Sequence, residues 1–161
     1  MVYPILNLAY AFVSTLVLVG AKYYAVFFVS VLCHELAHVL VGKCYGMKFV
    51  KIVPGYLNWA AHFSRDAKCK AVFRTPKKLF FLSIAGWIAH VILALTSLVV
   101  IYTVGVKAWA GIPFAFFLVN GALTWIVATP HPDPNLDSHR AYRAWNDMHK
   151  AKKRKRPGLT K

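Results

Sequence analysis

Two histidines four residues apart with a glutamate beside the first, His34-Glu35-Leu36-Ala37-His38, are the stretch of this 161-residue chain whose residue types and spacing together specify a reaction. On an α-helix, residues four apart lie on one face about a turn apart, so both imidazoles can reach the same ion. The pattern H-E-x-x-H on a helix is a zinc-binding signature, which makes Zn2+ the expected cofactor. Glu35 then lies beside the ion. A carboxylate there can take a proton from water that zinc acidifies from a pKa of ~15.7 to ~7.

The setting of these residues is apolar. From Tyr24 to Val41 the ionisable groups other than Tyr24 and Cys33 are the three motif residues. A charged side chain within a membrane span costs ~2.5 to 3.5 kcal/mol on insertion scales, so such residues mark function more often than packing. The whole chain is 58% hydrophobic with a mean hydropathy of +0.50, a composition that resembles an integral membrane protein far more than a soluble domain. Four stretches approach the ~20 residues of a membrane span: Pro4 to Val19, Tyr24 to Val41, Leu79 to Tyr102 and Ala108 to Thr129. The expected fold is an all-α integral membrane protein with about four transmembrane helices and a short membrane-associated β-hairpin after the second. The first stretch lacks a basic n-region and a small-residue cleavage site, so it reads as a retained span.

Charge sets the expected orientation. Of 20 basic residues, nine fall between Gly42 and Lys78 and nine after Thr129, against Lys22 and Lys107 alone in the two short connections. The positive-inside rule puts both rich segments, and with them both termini, in the cytoplasm. The metal site would then lie roughly 5 to 10 Å below the cytoplasmic surface, within two turns of Val41. Cys33, Cys44 and Cys69 match no zinc-ribbon spacing and are expected as free thiols.

The elements around the motif follow in order. Gly42 and Gly46 are helix-stop signals, and Lys48 to Trp59, with Pro54-Gly55 at its centre, reads as an apolar hairpin whose free edge could pair with an extended peptide. His62 is expected to be exposed. Ser83, Ala85, Gly86 and Ala89 on the third span permit close helix packing, and His90 on the same span needs a polar partner. Three alternate prolines, Pro130, Pro132 and Pro134, make an extended segment that can turn a side chain back toward a buried site. Residues 1–140 form the expected membrane core, and 141–161 an amphipathic helix with a basic tail. Ala141, Ala144, Trp145 and Met148 form the apolar stripe of that helix. Anionic lipid is the expected partner of the tail. Nucleic acid is not expected, since no aromatic platform or binding fold accompanies the charge.

A catalytic zinc takes three protein ligands and leaves a fourth position open. Glu35 is the single glutamate in the chain, so a second glutamate ligand is excluded; Val41 and Cys44 stand where a third histidine motif would need Gly and His. Asp137 is the favoured third ligand because it follows the proline segment on the side of His34 and His38. Asp133, His131 and His139 are its rivals.

A membrane-embedded H-E-x-x-H, a small-residue helix and the segment Pro132-Asp133-Pro134-Asn135-Leu136-Asp137 together resemble the site-2 protease family of intramembrane zinc metalloproteases. The resemblance runs from about Phe28 to Arg140, without a PDZ or CBS domain. It implies that His34, His38 and Asp137 hold zinc, that Glu35 is the catalytic base, and that the substrate is a transmembrane protein cut in or near its membrane segment. Ala85-Gly86 is similar to the start of the family's third-helix motif, which continues here with Trp87 and His90 in place of Pro and Asn. Thr129 stands where the family has Asn, and Ser138 where it has Gly. Thr129 and His90 are therefore the candidates for substrate positioning. The rival readings are an inactive zinc-binding pseudoprotease and a basic-tailed membrane scaffold.

Overall fold

The computed structural model describes residues 2–54, 59–105, 111–129 and 136–154, with side chains described from residue 11 to residue 151. The hairpin tip at 55–58, Lys107, the proline segment at 130–135 with His131 and Asp133, and the basic tail beyond Arg154 lie outside the described residues.

The chain is mostly helical with one two-stranded antiparallel sheet. In order these are α1 (Val2–Cys44), β1 (Phe49–Val53), β2 (Ala60–Phe63), α2 (Ala67–Arg74), α3 (Pro76–Val104), α4 (Ile112–Ala128) and α5 (Asp137–Arg154). Helix α3 is the hub, packed against α1, α4 and α5, while α1 also meets α4. Ala11–Cys44 within α1 and Pro76–Val104 are long and apolar enough to cross a membrane; Ile112–Ala128 is a shorter apolar helix.

The first correction concerns α1. The sequence places two spans with a connection between Val19 and Tyr24, whereas the helix runs unbroken for 43 residues, about 65 Å at 1.5 Å per residue. Neither Gly20 nor Lys22 removes a backbone donor, and a glycine inside a helix costs only ~1 kcal/mol. The hydrogen-bond ladder therefore continues where a hydropathy dip suggests a turn.

The true stop is Gly46. Its φ of 76° suits a residue without a Cβ. There Met47 N–H donates to Gly42 C=O and Gly46 N–H to Lys43 C=O, the paired bonds of a Schellman cap. Gly42 serves a different purpose: a Cβ on it would come within 2.5 Å of the Phe63 ring, so the bare backbone lets the sheet lie against α1. Met47 continues into a small core with Cys69, Val72 and Leu82, which ties the sheet and α2 to the start of α3.

The first hairpin arm falls where expected, but the second is Ala60–Phe63, further along than the aromatic run ending at Trp59. Helix α2 was not expected from sequence. Asp66 caps it by accepting from Cys69 N–H at 2.8 Å, and this bond holds the Asp66 carboxyl below its ordinary pKa. Thr75 and Pro76 then open α3 at once, Pro76 sitting where its missing N–H costs nothing.

Position 140 lies inside α5, which starts at Asp137 and packs on α3. Of the apolar stripe, Ala144 is buried, Ala141 and Met148 are half-buried, and Trp145 stays exposed while its ring meets Phe80 in a tilted contact at 5.6 Å between centroids.

Candidate functional site

One face of α1 builds the site. Val26, Ser30, His34, His38 and Gly42 recur every four residues and lie against α3, α4 and the sheet, so one helical stripe carries hydroxyl, imidazole, imidazole and a bare backbone in succession.

The two histidines converge as their spacing requires, with His34 Nε2 and His38 Nε2 3.1 Å apart. Asp137 joins them from the first turn of α5. Its Oδ2 lies 2.9 Å from His38 Nε2 and 3.4 Å from His34 Nε2. The sequence expected Asp137 at the end of an extended segment; it is instead the first residue of a helix, whose packing on α3 fixes the carboxylate. His139, a rival for the same role, lines a separate cleft with Phe73, Leu79, Arg140 and Arg143.

Glu35 is 6% exposed and stands one step outside this triangle. Its Oε1 is 4.0 Å from His34 Nε2, farther than either contact of Asp137 with the two imidazoles, so Asp137 is the better third ligand. The other oxygen, Oε2, accepts from Ala61 N–H on β2 at 2.7 Å. Strand β2 thus fixes the carboxylate by one oxygen and leaves the other turned to the histidines.

The fit to a metal can be judged from the donors. His38 Nδ1 lies 2.7 Å from the carbonyl oxygen of Leu82, which can only accept, so His38 carries a proton on Nδ1 and as a neutral imidazole offers a lone pair at Nε2. That lone pair faces a carboxylate oxygen and a second imidazole nitrogen. Such an arrangement is repulsive until a cation enters it. Tetrahedral ligands ~2.0 to 2.1 Å from zinc are about 3.3 Å from one another, and the separations here are 2.9, 3.1 and 3.4 Å. Two imidazoles and a carboxylate are also the donor types zinc takes. His34, Glu35 and His38 form a potential metal-holding group by distance alone.

The triangle opens on a cavity of about 590 Å³. Its walls mix the site with apolar side chains, among them Phe27, Val31, Trp59, Leu123 and Ile126. Ala60 and Ala61 of β2 line it too, which sets the edge of the sheet beside the histidines.

Close packing holds His34 in place. A Cβ on Gly86 would fall 2.2 to 2.4 Å from three atoms of the His34 ring, so the third-helix Ala-Gly pair is a seat for this imidazole. Behind the ring, His34 Nδ1 lies 3.1 Å from His90 Nε2. His90 in turn contacts Asn120 Oδ1 through Nδ1 at 2.9 Å, and Asn120 Nδ2 donates to Ser30 Oγ at 3.0 Å and to Phe116 C=O at 2.9 Å.

Thr129 does not join the site. It ends α4, its hydroxyl donates back to Trp125 C=O at 2.9 Å, and it is not among the residues lining the cavity. His62 is exposed and the three cysteines are free, as expected. Sequence reasoning missed Asn120 and Ser30. Asn120 had a visible signal, as the sole side-chain amide within the apolar run Ile112–Ala128. No family model, curated protein or solved structure matches the chain.

Proposed function

We propose that this protein is an intramembrane zinc endopeptidase of the site-2 protease type, which hydrolyses a peptide bond in or near a transmembrane segment of another protein. One observation carries the reading. Residues 103 positions apart, His34 and Asp137, meet His38 at ligand spacing beside the chain's single glutamate, inside an apolar helix bundle.

His34, His38 and Asp137 would hold zinc, which when bound acidifies water and polarises a peptide carbonyl. The protein's own groups do the rest. Glu35, anchored by Ala61 N–H, takes the proton of the attacking water through its other oxygen and hands it to the leaving amine. The apolar walls of the cavity keep bulk water from competing. A substrate helix must unwind locally, because its carbonyls are bonded within the helix.

On this reading the basic residues of 42–78 and of the segment after Thr129 favour the cytoplasmic side for the site, with α1 and α3 as the membrane-crossing helices and α4 as a shorter apolar companion. An unbroken α1 removes the reason for putting the N-terminus on that side as well. The basic tail suits an anionic lipid surface.

Elemental analysis tests the metal assignment. About one zinc per chain is expected. His34→Ala, His38→Ala and Asp137→Asn should each lose most of it, and His139→Ala should not. Full zinc in Asp137→Asn would remove the third ligand and with it the proposal.

A further inference from the structure

Three of the most deeply buried side chains are polar: His90, Asn120 and Ser30, the last two fully inaccessible. Deeply buried polar groups cost free energy unless each finds a partner, so this group has to be explained as a connected set. It joins three helices, Ser30 on α1, His90 on α3 and Asn120 on α4, and it ends on His34.

The donors and acceptors in this set can be assigned in only one consistent way. Ser30 Oγ–H donates to Val26 C=O at 2.7 Å, which leaves the oxygen free to accept. Asn120 Nδ2 supplies two protons, one to Ser30 Oγ and one to Phe116 C=O. The amide is thereby fixed with Oδ1 toward His90, and an amide oxygen can only accept. His90 therefore carries its proton on Nδ1 and presents a lone pair at Nε2. Facing that lone pair, His34 must donate from Nδ1. A neutral imidazole protonated on Nδ1 has its remaining lone pair on Nε2, the atom that meets His38 and Asp137.

We infer that Asn120 and His90 are positioning residues which lock His34 in its Nε2-ligating tautomer, with Ser30 and the Phe116 carbonyl orienting the amide. This rests on the metal reading above. His90, which also lines the cavity, has both of its nitrogens engaged within the protein. His38 needs no such device, since the Leu82 carbonyl sets its tautomer directly.

The test uses the purified full-length protein in detergent or lipid and reads two quantities, zinc affinity by competition with a chelator and the protonation of each imidazole nitrogen by 15N NMR of the metal-free protein. Wild type should show His34 and His90 both protonated at Nδ1. Asn120→Leu removes the acceptor at similar size, and His90→Phe keeps the ring and removes both nitrogens. Each should weaken zinc binding about 10- to 100-fold, the usual effect of losing a partner behind a ligating histidine, and His34 should populate the other tautomer. Wild-type zinc affinity and an unchanged His34 tautomer in Asn120→Leu and His90→Phe would overturn the inference while leaving the metal site intact. Failure of the wild type itself to bind zinc would instead overturn the metal reading, and this inference with it.

Discussion

The two halves of α1 are both strongly apolar and differ in almost everything else. From residue 11 to 24 nearly every side chain is exposed, with Phe12 at 65% and Leu18 at 71%. From residue 26 onward a stripe of Val26, Ser30, His34 and His38 turns inward against α3 and α4. Hydropathy therefore says where a helix can sit in lipid, and the four-residue recurrence of polar side chains says which face meets protein. The inner face is held by close packing and hydrogen bonds. Those interactions are also what position the histidines.

Changes on the inner stripe should cost far more than changes outside it. The largest effect short of removing a ligand is expected at Gly86. Gly86→Ala forces the His34 ring away, and an overpacking cost of ~1 to 3 kcal/mol falling on the ligating geometry corresponds to a loss in zinc affinity of roughly 5- to 150-fold. Isothermal titration or chelator competition would measure it. Next comes Gly42→Ala, which pushes on the Phe63 ring and should lower the unfolding midpoint through the same overpacking cost, with zinc affinity less affected because the clash falls on a ring of the sheet and not on a ligand ring as at Gly86. Unchanged stability there would mean that the sheet does not bear on α1.

Thiol labelling sharpens the contrast between surface and core around the end of the same helix. Cys44 is exposed at the end of α1, whereas Cys69 is buried and its thiol is pushed up by that burial. A polar maleimide at neutral pH should modify Cys44 well before Cys69 in folded protein. The smallest effect belongs to the outer half of α1: Leu16→Ala and Leu18→Ala should change stability by no more than ~0.5 kcal/mol and leave zinc uptake as it is. A large loss from either would show that this half is packed against a partner.

Much of the site was legible because helical spacing is rigid. His34 and His38 four residues apart, with Glu35 between them, fix a two-point metal site before any tertiary contact is known. Asp137 was found through its place after the proline segment and through the family resemblance, but its position on the first turn of α5 depends on how that helix packs on α3. Helix α2 escaped notice because its eight residues carry three basic side chains and no long apolar stripe; its cue was the Asp66 cap. The continuity of α1 was obscured for a related reason: Gly20 and Lys22 break hydropathy without breaking the backbone ladder. Asn120 and Ser30 were invisible as a pair, since their bond crosses between α1 and α4 and no spacing rule links residues 90 positions apart.

The central claim is that Glu35 moves protons while His34, His38 and Asp137 hold the metal, and Glu35→Gln separates the two roles. The glutamine keeps the length of the side chain and an oxygen that can accept from Ala61 N–H, but it has no carboxylate to act as a base. Zinc content and turnover of a co-reconstituted transmembrane substrate should be measured together on wild type and this variant. The account predicts about one zinc per chain in both, with cleavage in the variant reduced by at least ~10²-fold. Comparable cleavage by the zinc-loaded glutamine variant would contradict it.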